Sequence, residues 1–273
     1  MSTASAPVIG IRDSGVGGLT VARRIRELLP DSPLLYFADT AHVPYGDRQP
    51  CEVRYFALSI SNFLIGCGAQ VVVFACNTSS AYALDSAQQK FDVPIIGMIE
   101  PGVCAAVQAS SDSAIGVLAT QATVNSNVYT SSIRRLRPAA RCLEIACPEF
   151  VPLVEAEQTQ TKAAQDAARR YLQPLLDAGA DTIILGCTHY PLLLPVLQQA
   201  APGVQFIDPA DAVAEQVASL AENLPARLND FISGDTFFVS GADDGVRHWI
   251  DKLLPESKRG SSLCRGPVFD VPS

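Results

Sequence analysis

Short apolar runs alternate with longer, helix-patterned stretches along almost the whole chain, and this alternation constrains the fold more than any single motif. The runs Val8–Ile11, Leu34–Phe37, Val71–Phe74, Ile95–Ile96, Ala114–Leu118, Thr182–Leu185 and Val204–Ile207 are short, rich in Val, Ile, Leu and Phe, and bounded by Gly, Pro or Asp. They read as buried strands. Between them, Leu19–Leu29, Glu52–Cys67, Ala81–Phe91, Asn125–Leu136 and Lys162–Ala178 carry apolar residues at three- and four-residue spacing. Strands without polar alternation, each followed by a helix, predict parallel sheets covered by helices. The 273 residues suit one large or two medium domains.

The pattern also repeats. Ile9-Gly10-Ile11-Arg12-Asp13-Ser14 is echoed 106 positions later (from Ile9 to Ile115) by Ile115-Gly116-Val117-Leu118-Ala119-Thr120. Val71-Val72-Val73-Phe74-Ala75-Cys76-Asn77-Thr78 is echoed 111 positions later (from Val71 to Thr182) by Thr182-Ile183-Ile184-Leu185-Gly186-Cys187-Thr188-His189. Two similar α/β halves are the simplest reading. In open α/β sheets ligands bind beyond the carboxyl ends of the strands. Asp13-Ser14, Cys76-Asn77-Thr78, Thr120 and Cys187-Thr188-His189 all follow apolar runs there, and would line one cleft if the halves face each other.

Composition narrows the function. With a net charge of −8 the chain lacks the basic surface that nucleic-acid binding requires. At 48% hydrophobic residues it carries enough apolar surface for a packed core. No apolar run approaches the roughly 20 residues of a membrane span, and Met1–Pro7 lack the basic and apolar regions of a signal peptide. Neither a membrane nor a nucleic acid is an expected partner. The eight cysteines are scattered along a long apolar chain, which suits reduced thiols in a cytoplasmic protein. Cys51, Cys67, Cys104, Cys142, Cys147 and Cys264 are expected to be inert, buried thiols or, for Cys264, a tail thiol.

Asp13-Ser14-Gly15-Val16-Gly17-Gly18 lacks the Gly-x-Gly-x-x-Gly spacing of a dinucleotide loop and the Lys of a P-loop. Its N–H groups and Ser14 could hold a small anion or zwitterion at a helix N-terminus, with Asp13 receiving an ammonium; alternatively Asp13 simply caps the helix. Cys76 and Cys187 are expected at equivalent strand-to-helix junctions, where a helix N-terminus lowers a thiol's pKa. A zinc site of Cys76, Cys187 and His189 competes, but there is no Cys-x-x-Cys, and His42 and His248 lie in no ligand pattern. A Cys–His189 hydrolytic dyad leaves the second cysteine idle. Two-base proton transfer uses both thiols, one on each side of a carbon acid. Pyridoxal phosphate would need a lysine at the site, and Lys90, Lys162, Lys252 and Lys258 follow no candidate strand. A cofactor-free route must then rely on fixed donors that stabilise the carbanion-like transition state.

Asp13-Ser14-Gly15-Val16-Gly17-Gly18-Leu19-Thr20-Val21, Pro44-Tyr45-Gly46, Ala75-Cys76-Asn77-Thr78, Glu100-Pro101-Gly102, Phe150-Val151-Pro152-Leu153-Val154-Glu155 and Gly186-Cys187-Thr188-His189-Tyr190-Pro191 resemble the signature segments of glutamate racemases, within the aspartate/glutamate racemase family. The resemblance runs from about Ile9 to about Leu254. It implies a cofactor-independent, metal-free isomerase that interconverts L- and D-glutamate and supplies D-glutamate for peptidoglycan in a bacterial cytoplasm, as a homodimer. It implies that Cys76 acts on D-glutamate with help from Asp13, and Cys187 on L-glutamate with help from His189. Ser14, Tyr45, Gly46, Asn77, Thr78 and Thr188 match substrate-holding positions, Thr120 and Thr123 are further hydroxyl candidates, and Glu155 matches an acidic residue near the site. A related racemase for another acidic substrate such as aspartate, or a non-catalytic glutamate-binding protein, remains the alternative.

The family implies two doubly wound, pseudo-symmetric domains with the active site in the cleft between them: residues 1–98 with 210–273, and residues 99–209. Arg12 departs from the pattern, which has an aromatic residue there. Pleating points it away from Asp13, so a paired arginine at the sheet surface is expected. Gly260–Ser273 reads as a poorly ordered tail, and the short start before Val8 implies no activation by a cell-wall precursor.

Overall fold

The computed structural model describes residues 6–112, 114–224, 234–242, 245–258 and 261–271. All strand pairs are parallel and form two sheets. The chain divides into two units, Met1–Gly97 with Val213–Ser273, and Met98–Ala212.

In the first unit the order is β1 (Ile9–Asp13), α1 (Leu19–Leu28), β2 (Leu34–Ala38), α2 (Pro50–Gly66), β3 (Val71–Phe74), α3 (Asn77–Lys90) and β4 (Ile95–Gly97). The second unit holds α4 (Ile99–Ala109), β5 (Ala114–Ala119), α5 (Gln121–Ser126), α6 (Val128–Leu136), β6 (Arg141–Ala146), α7 (Phe150–Glu155), α8 (Lys162–Asp177), β7 (Thr182–Gly186), α9 (Leu194–Ala200) and β8 (Gln205–Ile207). The chain passes back to the first unit within α10 (Pro209–Ala221) and ends with β9 (Thr236–Val239), α11 (Val246–Leu253) and β10 (Ser262–Arg265).

The first sheet runs β10-β9-β2-β1-β3-β4 and the second β6-β5-β7-β8. The order β2-β1-β3-β4 therefore recurs as β6-β5-β7-β8, with the echoed segments in the same places: β1 matches β5 and β3 matches β7. Both sheets are the doubly wound α/β architecture the alternation predicts.

Every residue of β1, β2, β3, β5 and β7 is buried, which explains their unbroken apolar runs. In the first unit Phe37, Tyr45, Phe56, Ile60, Val72, Phe74 and Cys76 share one core. In the second Val117, Ala119, Tyr129, Ile133 and Ile184 share another.

Several expectations need correction. The segment expected as one helix, Asn125–Leu136, is split between α5 and α6 at Asn127, whose φ is 55°. Asparagine tolerates that left-handed conformation better than most residues, and it ends the first helix. The tail expected to be poorly ordered instead forms β10, paired with β9; Gly260 and the last two residues lie outside the described residues. All eight cysteines are free, but Cys51 and Cys264 are exposed and Cys67, Cys104 and Cys142 are half-buried, so only Cys147 of the six expected to be buried or in a tail is fully buried.

Candidate active site

Each unit carries a thiol just past the carboxyl end of a central strand. In the first unit Cys76 follows β3 and is the N-cap of α3, with extended backbone (φ −67°, ψ 122°). Asn77 and Thr78 form the first turn and are buried with it. The neighbouring strand β1 ends in Asp13, fully buried. Asp13 Oδ2 accepts the Gly15 N–H at 3.0 Å, whereas Oδ1 is buried with no hydrogen-bond partner among the described residues. Asp13 does not cap α1, whose N-cap is Gly18. Ser14 is buried beside it.

Gly18 is required by space. A Cβ there would lie 2.6 Å from Asp13 Cβ and 2.8 Å from the Tyr36 hydroxyl, which itself donates to the Gly15 carbonyl at 2.8 Å. The loop thus holds the Asp13 carboxyl against a glycine and a tyrosine.

The expected lowering of the Cys76 thiol is not what its surroundings produce. Burial pushes its pKa up, and the Asp13 carboxylate adds to this; the Arg12 guanidinium and the groups of Ser79 pull the other way without overcoming it. Desolvation of a fully buried thiolate outweighs one helix N-terminus.

Arg12 also departs from expectation. It does point away from Asp13, but that face of the sheet is covered, so the side chain is fully buried. Its Nη2 donates to the Tyr45 hydroxyl at 3.2 Å. Its guanidinium carbon stands 5.5 Å from the Tyr45 ring centre and 5.2 Å from that of Phe74. Pleating gives direction, not exposure, and helix-covered parallel sheets have no solvated face.

Tyr45 opens a short helical turn, Tyr45–Asp47, with half-buried Gly46 in it. Its hydroxyl donates to Asp39 Oδ2 at 2.5 Å, and Asp39 also accepts from the Ser240 hydroxyl at 2.7 Å and lies 2.9 Å from His42 Nδ1. Burial first, then Asp39, hold the Tyr45 phenol well above its ordinary pKa, with Arg12 opposing. The network of Asp39, His42 and Ser240 behind Tyr45 escaped the sequence reading, because Ser240 follows β9, 201 positions along the chain from Asp39, and only the pairing of β9 with β2 brings it there.

In the second unit Cys187 follows β7. It is not at an α-helix N-terminus: His189 precedes a short 3₁₀ turn, Tyr190–Leu193, that leads into α9. The two thiols therefore follow equivalent strands but different local structures. Cys187, Thr188 and His189 are all buried. His189 Nδ1 is 3.8 Å from Cys187 Sγ, and its Nε2 is 3.3 Å from Glu155 Oε1 at the end of α7. The imidazole thus stands between the thiol and the carboxylate, one ring nitrogen toward each. Behind them the Tyr190 hydroxyl donates to the Cys147 carbonyl at 3.1 Å.

Thr120 follows β5, next to β7, and is the N-cap of α5. Its oxygen is 3.0 Å from the hydroxyl of Thr123, which is fully buried. Among the described residues no group of three His, Cys, Asp or Glu side chains is placed to hold a metal ion, and no helix is long and apolar enough to cross a membrane.

Comparison with known proteins places this geometry. The Asp/Glu/Hydantoin racemase family matches residues 19–217. A glutamate racemase of Desulforudis audaxviator (strain MP104C) is 43% identical over 254 residues, 90% of this chain and 93% of that relative. The crystal structure of glutamate racemase from Thermus thermophilus in complex with beta-chloro-D-alanine is similar with a TM-score of 0.82 and 38% identity, covering 97% of this chain and 98% of that one. That of Francisella tularensis glutamate racemase in complex with D-glutamate gives 0.86 and 30%, covering 95% and 97%. The chain belongs to the Asp/Glu/Hydantoin racemase family.

Proposed function

We propose that this protein is a glutamate racemase that needs no cofactor and moves the α-proton with two thiols. The observation that carries this reading is likeness to glutamate racemases over nine-tenths of the chain, joined to a buried cysteine at the end of the matching strand in each unit. Cys76 removes the α-proton of D-glutamate and Cys187 returns one to the opposite face; L-glutamate runs the sequence in reverse. The thiol that gives its proton ends as thiolate, and the one that takes it ends as thiol, so the pair alternates between turnovers.

Asp13 is the group we assign to help Cys76. Its open Oδ1 can take a thiol proton or receive the substrate ammonium. His189, steadied by Glu155, exchanges a proton with Cys187. Ser14, Gly46, Asn77, Thr78, Thr120, Thr123 and Thr188 are assigned to hold the substrate through hydroxyl, amide and backbone groups. Tyr45 joins them through its backbone, because its hydroxyl is engaged with Asp39 and Arg12. The product would feed peptidoglycan synthesis in the cytoplasm, and a homodimer is the assembly we assign.

The deciding experiment follows the circular dichroism of L-glutamate with the purified protein in the absence of pyridoxal phosphate. The signal should decay to zero. A steady signal rejects the proposal, and decay with aspartate but not glutamate reassigns the substrate.

A further inference from the structure

Arg12 is a buried side chain whose position neither the fold nor the proposed reaction requires. A guanidinium is charged at any working pH, and burying an ion without partners is unfavourable by several kcal/mol. Yet Arg12 is fully buried and the groups it touches among the described residues are uncharged: the Tyr45 hydroxyl and the faces of Tyr45 and Phe74. Its Nε and Nη1 are buried and donate to nothing among the described residues.

What lies around it is specific. Arg12 pairs in register with Phe74, and the Ala75 N–H donates to the Arg12 carbonyl at 3.0 Å, one residue before Cys76. Phe74, Tyr45 and Cys76 share one core cluster. The cation therefore sits on the same side of the sheet as the thiol. The groups that face Cys76 are Asp13 and Arg12 from β1, Tyr36 from β2, Tyr45 from the short helical turn and Ser79 from α3. The Ser79 hydroxyl makes no well-aligned hydrogen bond. Arg12 is the only cation in this set, facing one carboxylate and two phenols.

We propose that Arg12 is a positioning residue, the fixed counter-charge of the Cys76 thiolate. The inference rests on the reading of Cys76 as an acid/base group only for its consequence in turnover. A thiol that must become an anion in a buried site beside Asp13 needs a compensating charge that does not itself titrate. Arginine meets that need where lysine or histidine could lose the proton. A charged sulfur supplies this cation with a counter-ion that the neutral thiol does not. Burial and Asp13 hold the thiol up in the resting protein, and Arg12 opposes them.

The test reads the thiol directly and needs no racemase activity. The full chain is alkylated with iodoacetamide across a range of pH, and the peptide that holds Cys76 is followed by mass spectrometry. Arg12→Met keeps an apolar stem and removes the charge. It should move the Cys76 midpoint upward, with labelling at neutral pH slower by about tenfold for each unit of movement. Arg12→Gln carries the same expectation and stands in where the Met variant does not fold. Arg12→Lys should restore the midpoint toward the parent's. Labelling of exposed Cys51 should not change in any of them. An unchanged midpoint in the neutral variants overturns the proposal, as does a lysine variant displaced as far as they are. Faster labelling of half-buried Cys67, which packs against the same core, together with Cys76 would mean that the unit has loosened, and that also overturns it. A Cys76→Ser protein that still racemises glutamate sinks the two-thiol reading and leaves this result intact, so the two failures are distinguishable.

Discussion

The His189 imidazole keeps its Nδ1 3.8 Å from the Cys187 sulfur, close enough to pass a proton once substrate draws the two together. Its other nitrogen faces Glu155, whose side chain is 43% exposed. His189→Asn should lower kcat by about 10²- to 10⁴-fold, the usual contribution of a positioned acid or base. Glu155→Gln should cost about tenfold, because a half-exposed carboxylate is screened and water can replace part of its role. Enantiomers are equal in free energy, so kcat/KM must fall equally from either side; only kcat and KM taken separately can differ. Initial rates from L- and from D-glutamate check this, and a Glu155→Gln protein with unchanged rates removes the carboxylate from the scheme.

Replacing either thiol by a hydroxyl keeps the shape and removes the acid/base group. Cys76→Ser and Cys187→Ser should each abolish racemisation while retaining the parent's thermal transition. Full activity in either one refutes two-thiol transfer.

Gly18 is where space and chemistry meet. Gly18→Ala would press a methyl group onto the Asp13 side chain and the Tyr36 hydroxyl. Overpacking of this kind is unfavourable by about 1–3 kcal/mol, and the displaced carboxyl should lower kcat as well. Thermal melting and steady-state rates measure the two effects, and an alanine variant equal to the parent in both contradicts the crowding.

Asp181 should govern acid stability in the second unit. Burial alone would raise its pKa, but the Asp112 N–H and the hydroxyls of Ser110, Ser111 and Thr182 outweigh burial and hold it at about 2. The Ser110 hydroxyl donates at 2.8 Å, as do the N–H groups of Ser111 and Asp112. A depressed carboxylate stabilises the folded state above its unfolded pKa of about 3.9, and that contribution disappears as pH falls from about 4 to about 2. Asp181→Asn should lower stability at neutral pH and flatten its decline across that window. Chemical denaturation at several pH values tests it; parallel curves for parent and variant would exclude the role.

Most of the interior of the fold was legible because β1, β2, β3, β5 and β7 are buried on both faces and read as unbroken apolar runs. The strands that escaped are the edge strands β6 and β10, and β9 between β10 and β2, whose residues alternate half-buried and buried. Arg141–Ala146 has no fully buried residue, and Ser262–Arg265 is mostly exposed, so neither gives a buried-strand signal. The positions of the two thiols, past β3 and β7, were legible from the repeat. What surrounds them was not: burial reversed the expected direction for Cys76, and a 3₁₀ turn replaced the helix after Cys187. Arg12 shows the same limit, since the pleat gave its direction while Phe74 of β3 and the turn at Tyr45 decided what it would meet.

The added strands β9 and β10 extend only the first sheet, along the β2 edge, and this bears on how the chain can be made. Ribosomal synthesis proceeds from the N-terminus, so residues Met98–Ala212 are all available before β9 exists. The second unit can close while the first still lacks two of its six strands. During that interval β2 presents an unpaired, wholly apolar edge, the kind of template on which chains aggregate. The order of translation thus sets a window of vulnerability that the finished sheet no longer displays.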